Sequence, residues 1–146
     1  MKIICHRGNT SGPDPKNENR PEVIDYCFQK WYDIEIDLWA YKNDLYLGHD
    51  EPSYPIQMDY LLPMKTRLWI HCKNLQASSK LFKHRDFNYF LHDRDDYTLT
   101  SQGFVWTYPK PQDLLLDNQI LLDFKPNVDF KKYKLLGIHG LCVDYV

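Results

Sequence analysis

The chain has 146 residues, enough for one domain, with 43% hydrophobic and 26% charged residues. A net charge of −2 without any basic stripe excludes a protein that tracks a nucleic-acid backbone. No apolar run reaches membrane-span length and the stretch before His6 is too short for a signal-peptide core, so a soluble, cytoplasmic protein is expected.

In chain order, residues 2–6 (KIICH) form an apolar run that ends on polar residues, as a strand does. Residues 9–19 have loop composition. Pro21 suits a first helical turn, and Val23, Tyr26, Cys27 and Lys30 follow at helical spacing through Trp31. Residues 33–39 alternate strictly, with Ile34, Ile36 and Leu38 on one face and Glu35, Asp37 and Trp39 on the other. Lys42-Asn43-Asp44 reads as a turn before a short strand at 45–49. A strand at 67–73 and a helix around 75–83 come next. Segments 87–92, 103–108, 119–124 and 140–145 are all strand-like. Strands alternating with helices predict an α/β parallel sheet or barrel. Cys5, Cys27, Cys72 and Cys142 are widely spaced without a CxxC pair, which predicts free buried thiols.

Five polar sites interrupt this pattern. Glu35 and Asp37 point the same way from a strand whose opposite face must be buried. Inside a barrel that face would look to the centre, where a divalent cation offsets the cost of buried charge. On a surface the same pair would be an ordinary solvated face. His6-Arg7 ends the first strand, offering a proton-transfer group beside a phosphate-binding guanidinium. His49-Asp50 ends the strand at 45–49; taken alone it reads as a turn, with a carboxylate that orients the histidine ring as the alternative. His71 and Lys73 share a face of strand 67–73 and need partners there, with Glu35 and Asp37 the obvious candidates. Trp39, on the Glu35 face, would either wall a pocket or pack in the core. The run His92-Asp93-Arg94-Asp95-Asp96 reads as a charged loop at a strand end, with a substrate or metal contact as the alternative.

Taken in order, His6-Arg7-Gly8, Glu18-Asn19, Glu35-Ile36-Asp37, Gly48-His49-Asp50 and Lys73 resemble the glycerophosphodiester phosphodiesterase family. Gly140 to Tyr145 looks like that family's closing strand, and Trp106-Thr107-Tyr108 is similar to its late tryptophan strand. The match is dense over residues 3–73 and fragmentary beyond. The resemblance implies a TIM-type (β/α) barrel that hydrolyses phosphodiesters with a bound divalent metal ion, Mg²⁺, Ca²⁺ or Mn²⁺. His6 and His49 would then be the acid/base pair, Glu35 and Asp37 metal ligands, and Arg7 and Lys73 the phosphate-binding residues. Such barrels usually need about 250 residues, so a shortened or incomplete one is expected.

The family usually has a third metal-binding Glu where His71 stands. His71 either coordinates, shifting preference toward Mn²⁺ or Zn²⁺, or removes a ligand. The substrate expected is a small glycerophosphodiester-like molecule. Alternatives are a lyase-type outcome that releases a cyclic phosphate and a phosphate-ester-binding module without turnover. Strand surface left uncovered by a shortened barrel would favour a homodimer.

Overall fold

The computed structural model describes residues 1–108 and 114–146. The chain starts with β1 (Lys2–Cys5), a 3₁₀ turn at His6–Gly8 and α1 (Pro21–Gln29). There follow β2 (Asp33–Tyr41), β3 (Asp44–Leu47), β4 (Tyr54–Ile56), α2 (Met58–Leu61), β5 (Leu68–Cys72) and α3 (Leu75–Leu81). The second half holds β6 (Asn88–Phe90), β7 (Tyr97–Leu99), β8 (Val105–Thr107), β9 (Gln119–Asp123), α4 (Phe130–Leu135) and β10 (Gly140–Val143).

All ten strands belong to one sheet. Its parallel part runs β6-β5-β2-β1-β10-β9-β8. β7 joins β8 antiparallel, while β3 and β4 form an antiparallel extension of the far half of β2. The sheet curls, and Phe90 of β6 stacks on Trp106 of β8 with ring centroids 4.7 Å apart. Among the described residues no ladder joins β6 to β8.

The expected TIM-type barrel is therefore not formed. The molecule is a curled, mixed half-barrel. The reason lies in the connections. Regular β/α alternation needs a helix after each strand, whereas β6 is followed by the antiparallel β7 and the helices number only four among the described residues. The longest, α1, has nine residues, and α4 buries none of its own. β4, α2, β7 and α4 had no strand or helix expectation of their own.

Two cores result from the two faces of the sheet. Outside, Ile34, Ile36 and Leu38 of β2 and Leu68, Ile70 and Cys72 of β5 pack with Ile24 and Cys27 of α1 and Ala77 and Leu81 of α3. Of the residues set at helical spacing in α1, Tyr26 is half exposed, because the buried stripe passes through Ile24 and Cys27. Inside the curl, Ile4, Trp69, Phe90, Trp106, Ile120, Leu122 and Cys142 form the second cluster. β2 is thus buried on both faces, so Glu35 and Asp37 cannot be a solvated face. All four cysteines are free and buried. No helix among the described residues is long and apolar enough to cross a membrane.

Candidate active site

The site lies at the ends toward which β1, β2 and β5 run. On β1 and β5 the inward position there is polar where the one a layer below is apolar or aromatic, His6 above Ile4 and His71 above Trp69, while β2 is acidic in successive layers at Glu35 and Asp37. The register aligns Glu35 with Trp69 and Asp37 with His71. Glu35, Asp37 and His71 each offer a ligand atom, and these atoms all lie within 4.8 Å of one another.

Asp37 is fully buried. Asn19 grips it twice, its side-chain oxygen accepting from the Asp37 backbone N–H and its Nδ2 donating to Oδ2, both at 2.8 Å. Asn19 tolerates the left-handed φ of 62° that this loop position demands. Around the carboxylate, Arg7 Nε stands 3.3 Å from Oδ2, and His71 Nδ1 and Lys73 Nζ stand 3.0 and 3.6 Å from Oδ1. None of these meets Oδ1 in hydrogen-bonding alignment, so this buried oxygen has no donor. Burial opposes ionisation of Asp37, but His71, Lys73 and Arg7 prevail and hold its pKa well below the usual carboxylate range. Glu35 goes the other way: burial, then the charge of Asp37, raises its pKa. Its Oε2 accepts from the backbone N–H of Arg7 at 3.1 Å.

His71 Nε2 lies 3.0 Å from the backbone carbonyl of His92. A carbonyl only accepts, so Nε2 carries a proton, and Nδ1 faces the carboxylates either as a lone pair or, in an imidazolium, as a second N–H. A ring held by a carbonyl on its far nitrogen is the usual arrangement of a metal-binding histidine. With Nδ1 unprotonated, this atom, the orphaned Asp37 Oδ1 and the carboxylate of Glu35 are a donor set that could hold a divalent cation.

Above this triangle opens a cleft of about 340 Å³ bordered by His6, Arg7, Glu35, His49, His71 and Lys73. His6 Nδ1 donates to Asp144 Oδ1 at 2.9 Å, which leaves Nε2 unbound to that carboxylate. Asp144 also accepts from Asn9 Nδ2 at 2.8 Å, and the His6 ring stacks on Phe124 at 4.4 Å. Arg7 donates from Nη1 to Glu18 at 3.0 Å, and Glu18 in turn holds Asn9. The turn that aims His6 and Arg7 needs Gly8, whose φ is +82° and where a Cβ would lie 2.7 Å from Val23 Cγ2.

His49 enters from the loop after β3, with Nδ1 2.7 Å from Asp50 Oδ1. Burial, with Arg7 and Lys73 adding to it against Asp37, lowers its pKa below the ordinary histidine value. Trp39 does not wall the cleft. Its Nε1–H donates to the Gly48 carbonyl at 2.7 Å and so anchors the loop that carries His49.

The seven residues expected at the site from sequence, His6, Arg7, Glu35, Asp37, His49, His71 and Lys73, thus come together around one cleft. The His92-Asp93 stretch is more than a charged loop, since both residues border the cleft and His92 fixes His71. Asp144, Asn9 and Asn19 were missed. For Asn19 the only sequence signal was the Glu18-Asn19 pair, and for Asp144 a lone acid after the apolar run of the last strand. The chain matches no family model, no curated protein and no solved structure.

Proposed function

We propose that the protein is a metal-dependent phosphodiesterase that cleaves a small, glycerophosphodiester-like diester by general acid/base catalysis. The observation that carries this reading is the Glu35–Asp37–His71 triangle, its two carboxylates buried, beneath a cleft lined by His6, His49, Arg7 and Lys73. A divalent cation on that triangle would supply Lewis-acid polarisation of a phosphoryl oxygen. Lys73 and the guanidinium N–H groups that Glu18 leaves free on Arg7 hold the non-bridging oxygens and offset charge in the transition state. His49, kept neutral by its surroundings, takes the proton of the attacking oxygen as the new P–O bond forms. His6, oriented by Asp144, delivers a proton to the departing alkoxide as the old P–O bond breaks. With water attacking, the products are a phosphomonoester and an alcohol. With a neighbouring substrate hydroxyl attacking, the product is a cyclic phosphate.

The test is turnover of glycerophosphodiesters by the metal-stripped protein with Mn²⁺, Mg²⁺ or Ca²⁺ restored, followed by phosphorus NMR. Product should require metal and should vanish in His6→Ala and in His49→Ala, and the chemical shift distinguishes monoester from cyclic phosphate. Metal and phosphate binding without any product would mark a binding module instead.

A further inference from the structure

The cleft is chemically divided by strand. Every group assigned above to metal, phosphate or proton comes from the 3₁₀ turn after β1, from β2, from β5 and the residue that follows it, or from the loop after β3. The opposite wall comes from β6, β8, β9 and the residues just beyond them: Phe90, Trp106, Tyr108, Leu122 and Phe124. These five residues carry no charge, and His92 and Asp93, just beyond β6, also line the cleft. Its rings are already ordered in stacks, Phe90 on Trp106 at 4.7 Å, Tyr108 on His92 at 5.0 Å and Phe124 on His6 at 4.4 Å. Tyr108 remains 46% exposed, so the described residues do not seal the wall.

A diester phosphate seated over the metal triangle has room to extend one of its two alcohol groups along this wall. Resting on the phosphodiesterase reading, we propose that this alcohol group carries a flat aromatic ring, which binds against Tyr108 and the neighbouring rings. An anionic alcohol group would lose its hydration there without gaining a partner. A long acyl chain would not fit, because about 340 Å³ is at the small end of ligand pockets and the phosphate takes part of it. A ring of benzene size fits the remaining space and continues the stacks, where face or edge contact adds to simple burial.

Calorimetric titration of the Mn²⁺-loaded protein with benzyl, cyclohexylmethyl and ethyl phosphate tests this. These monoesters probe binding without depending on turnover. Benzyl phosphate should bind about tenfold more tightly than ethyl phosphate and more tightly than cyclohexylmethyl phosphate. Tyr108→Ala should erase that preference, while Tyr108→Phe should keep it. Equal affinity for the three, or a preference unchanged in Tyr108→Ala, would overturn the ring proposal and leave the phosphodiesterase reading standing. Binding of none of them, with Mn²⁺ still bound, would overturn both.

Discussion

His71 turns Nδ1 toward Oδ1 of Asp37 at 3.0 Å while its other ring nitrogen is committed to the His92 carbonyl. In a neutral ring this sets a lone pair against a carboxylate oxygen in a buried place. Such an arrangement calls for an imidazolium or for a cation between the two, and the nearby second carboxylate, Glu35, makes the cation the better match.

The first expectation is therefore a metal effect on stability. Added Mn²⁺ or Zn²⁺ should raise the melting temperature in a concentration-dependent, chelator-reversible way, worth about 2.7 kcal/mol at a hundredfold excess over Kd. His71→Ala and Asp37→Asn should abolish the rise. His71→Glu should restore it with preference moved toward Mg²⁺ and Ca²⁺, because the donor set becomes all oxygen. Differential scanning fluorimetry with each metal decides.

Glu35→Gln should have opposite effects with and without metal. Without metal, it removes a buried charge that repels Asp37 while keeping an oxygen for the Arg7 N–H, so the melting temperature should rise by about 2–4 °C. With metal, the stabilisation seen in the parent protein should be largely lost. A lower melting temperature in the metal-free variant would show that Glu35 is a net stabilising charge.

The pH profile should report His49. A general base works when neutral, that is, above its pKa, and burial has moved this pKa below the ordinary value of about 6.5. The acid-side fall of kcat/KM that belongs to His49 should accordingly lie below pH 6.5 and be absent from the residual activity of His49→Gln. A His49 limb centred above that pH would contradict the base role.

Asp144 should act through His6. Asp144→Ala removes the acceptor of the His6 Nδ1–H and of Asn9. It should lower kcat by about 100-fold or more with little change in KM, the scale of a lost proton-transfer group. Asp144→Asn keeps an acceptor oxygen and should recover part of the loss, which a general packing defect would not predict.

Gly48→Ala should destabilise the fold and the site together. Gly48 has φ +145°, and a Cβ there would collide with the Glu51 carbonyl. About 1–3 kcal/mol of strain is expected, seen in denaturant unfolding, along with a loss of activity because the neighbouring His49 is displaced.

Several parts of this arrangement were legible before any coordinates. The alternation of β2 separated Ile34, Ile36 and Leu38 from Glu35 and Asp37, since successive side chains on a strand point to opposite faces. The same rule put His71 and Lys73 together, and strand ends carried His6 and His49. These are local, period-two consequences of the chain. Sequence also located most strands, because apolar runs between polar turns are a local signal.

What the sequence left open depended on contacts between distant residues. Asp144 lies 138 positions from His6, and no local pattern announces their 2.9 Å hydrogen bond. Asn19 reads as one more loop residue until a left-handed turn brings it against Asp37. The half-barrel in place of a barrel was likewise a tertiary outcome. Each strand's own propensity is the same in both, and the choice lay in how β6, β7 and β8 connect and how far the sheet curls before Phe90 meets Trp106. Sequence determined which groups face inward; long-range packing alone decided which of them meet.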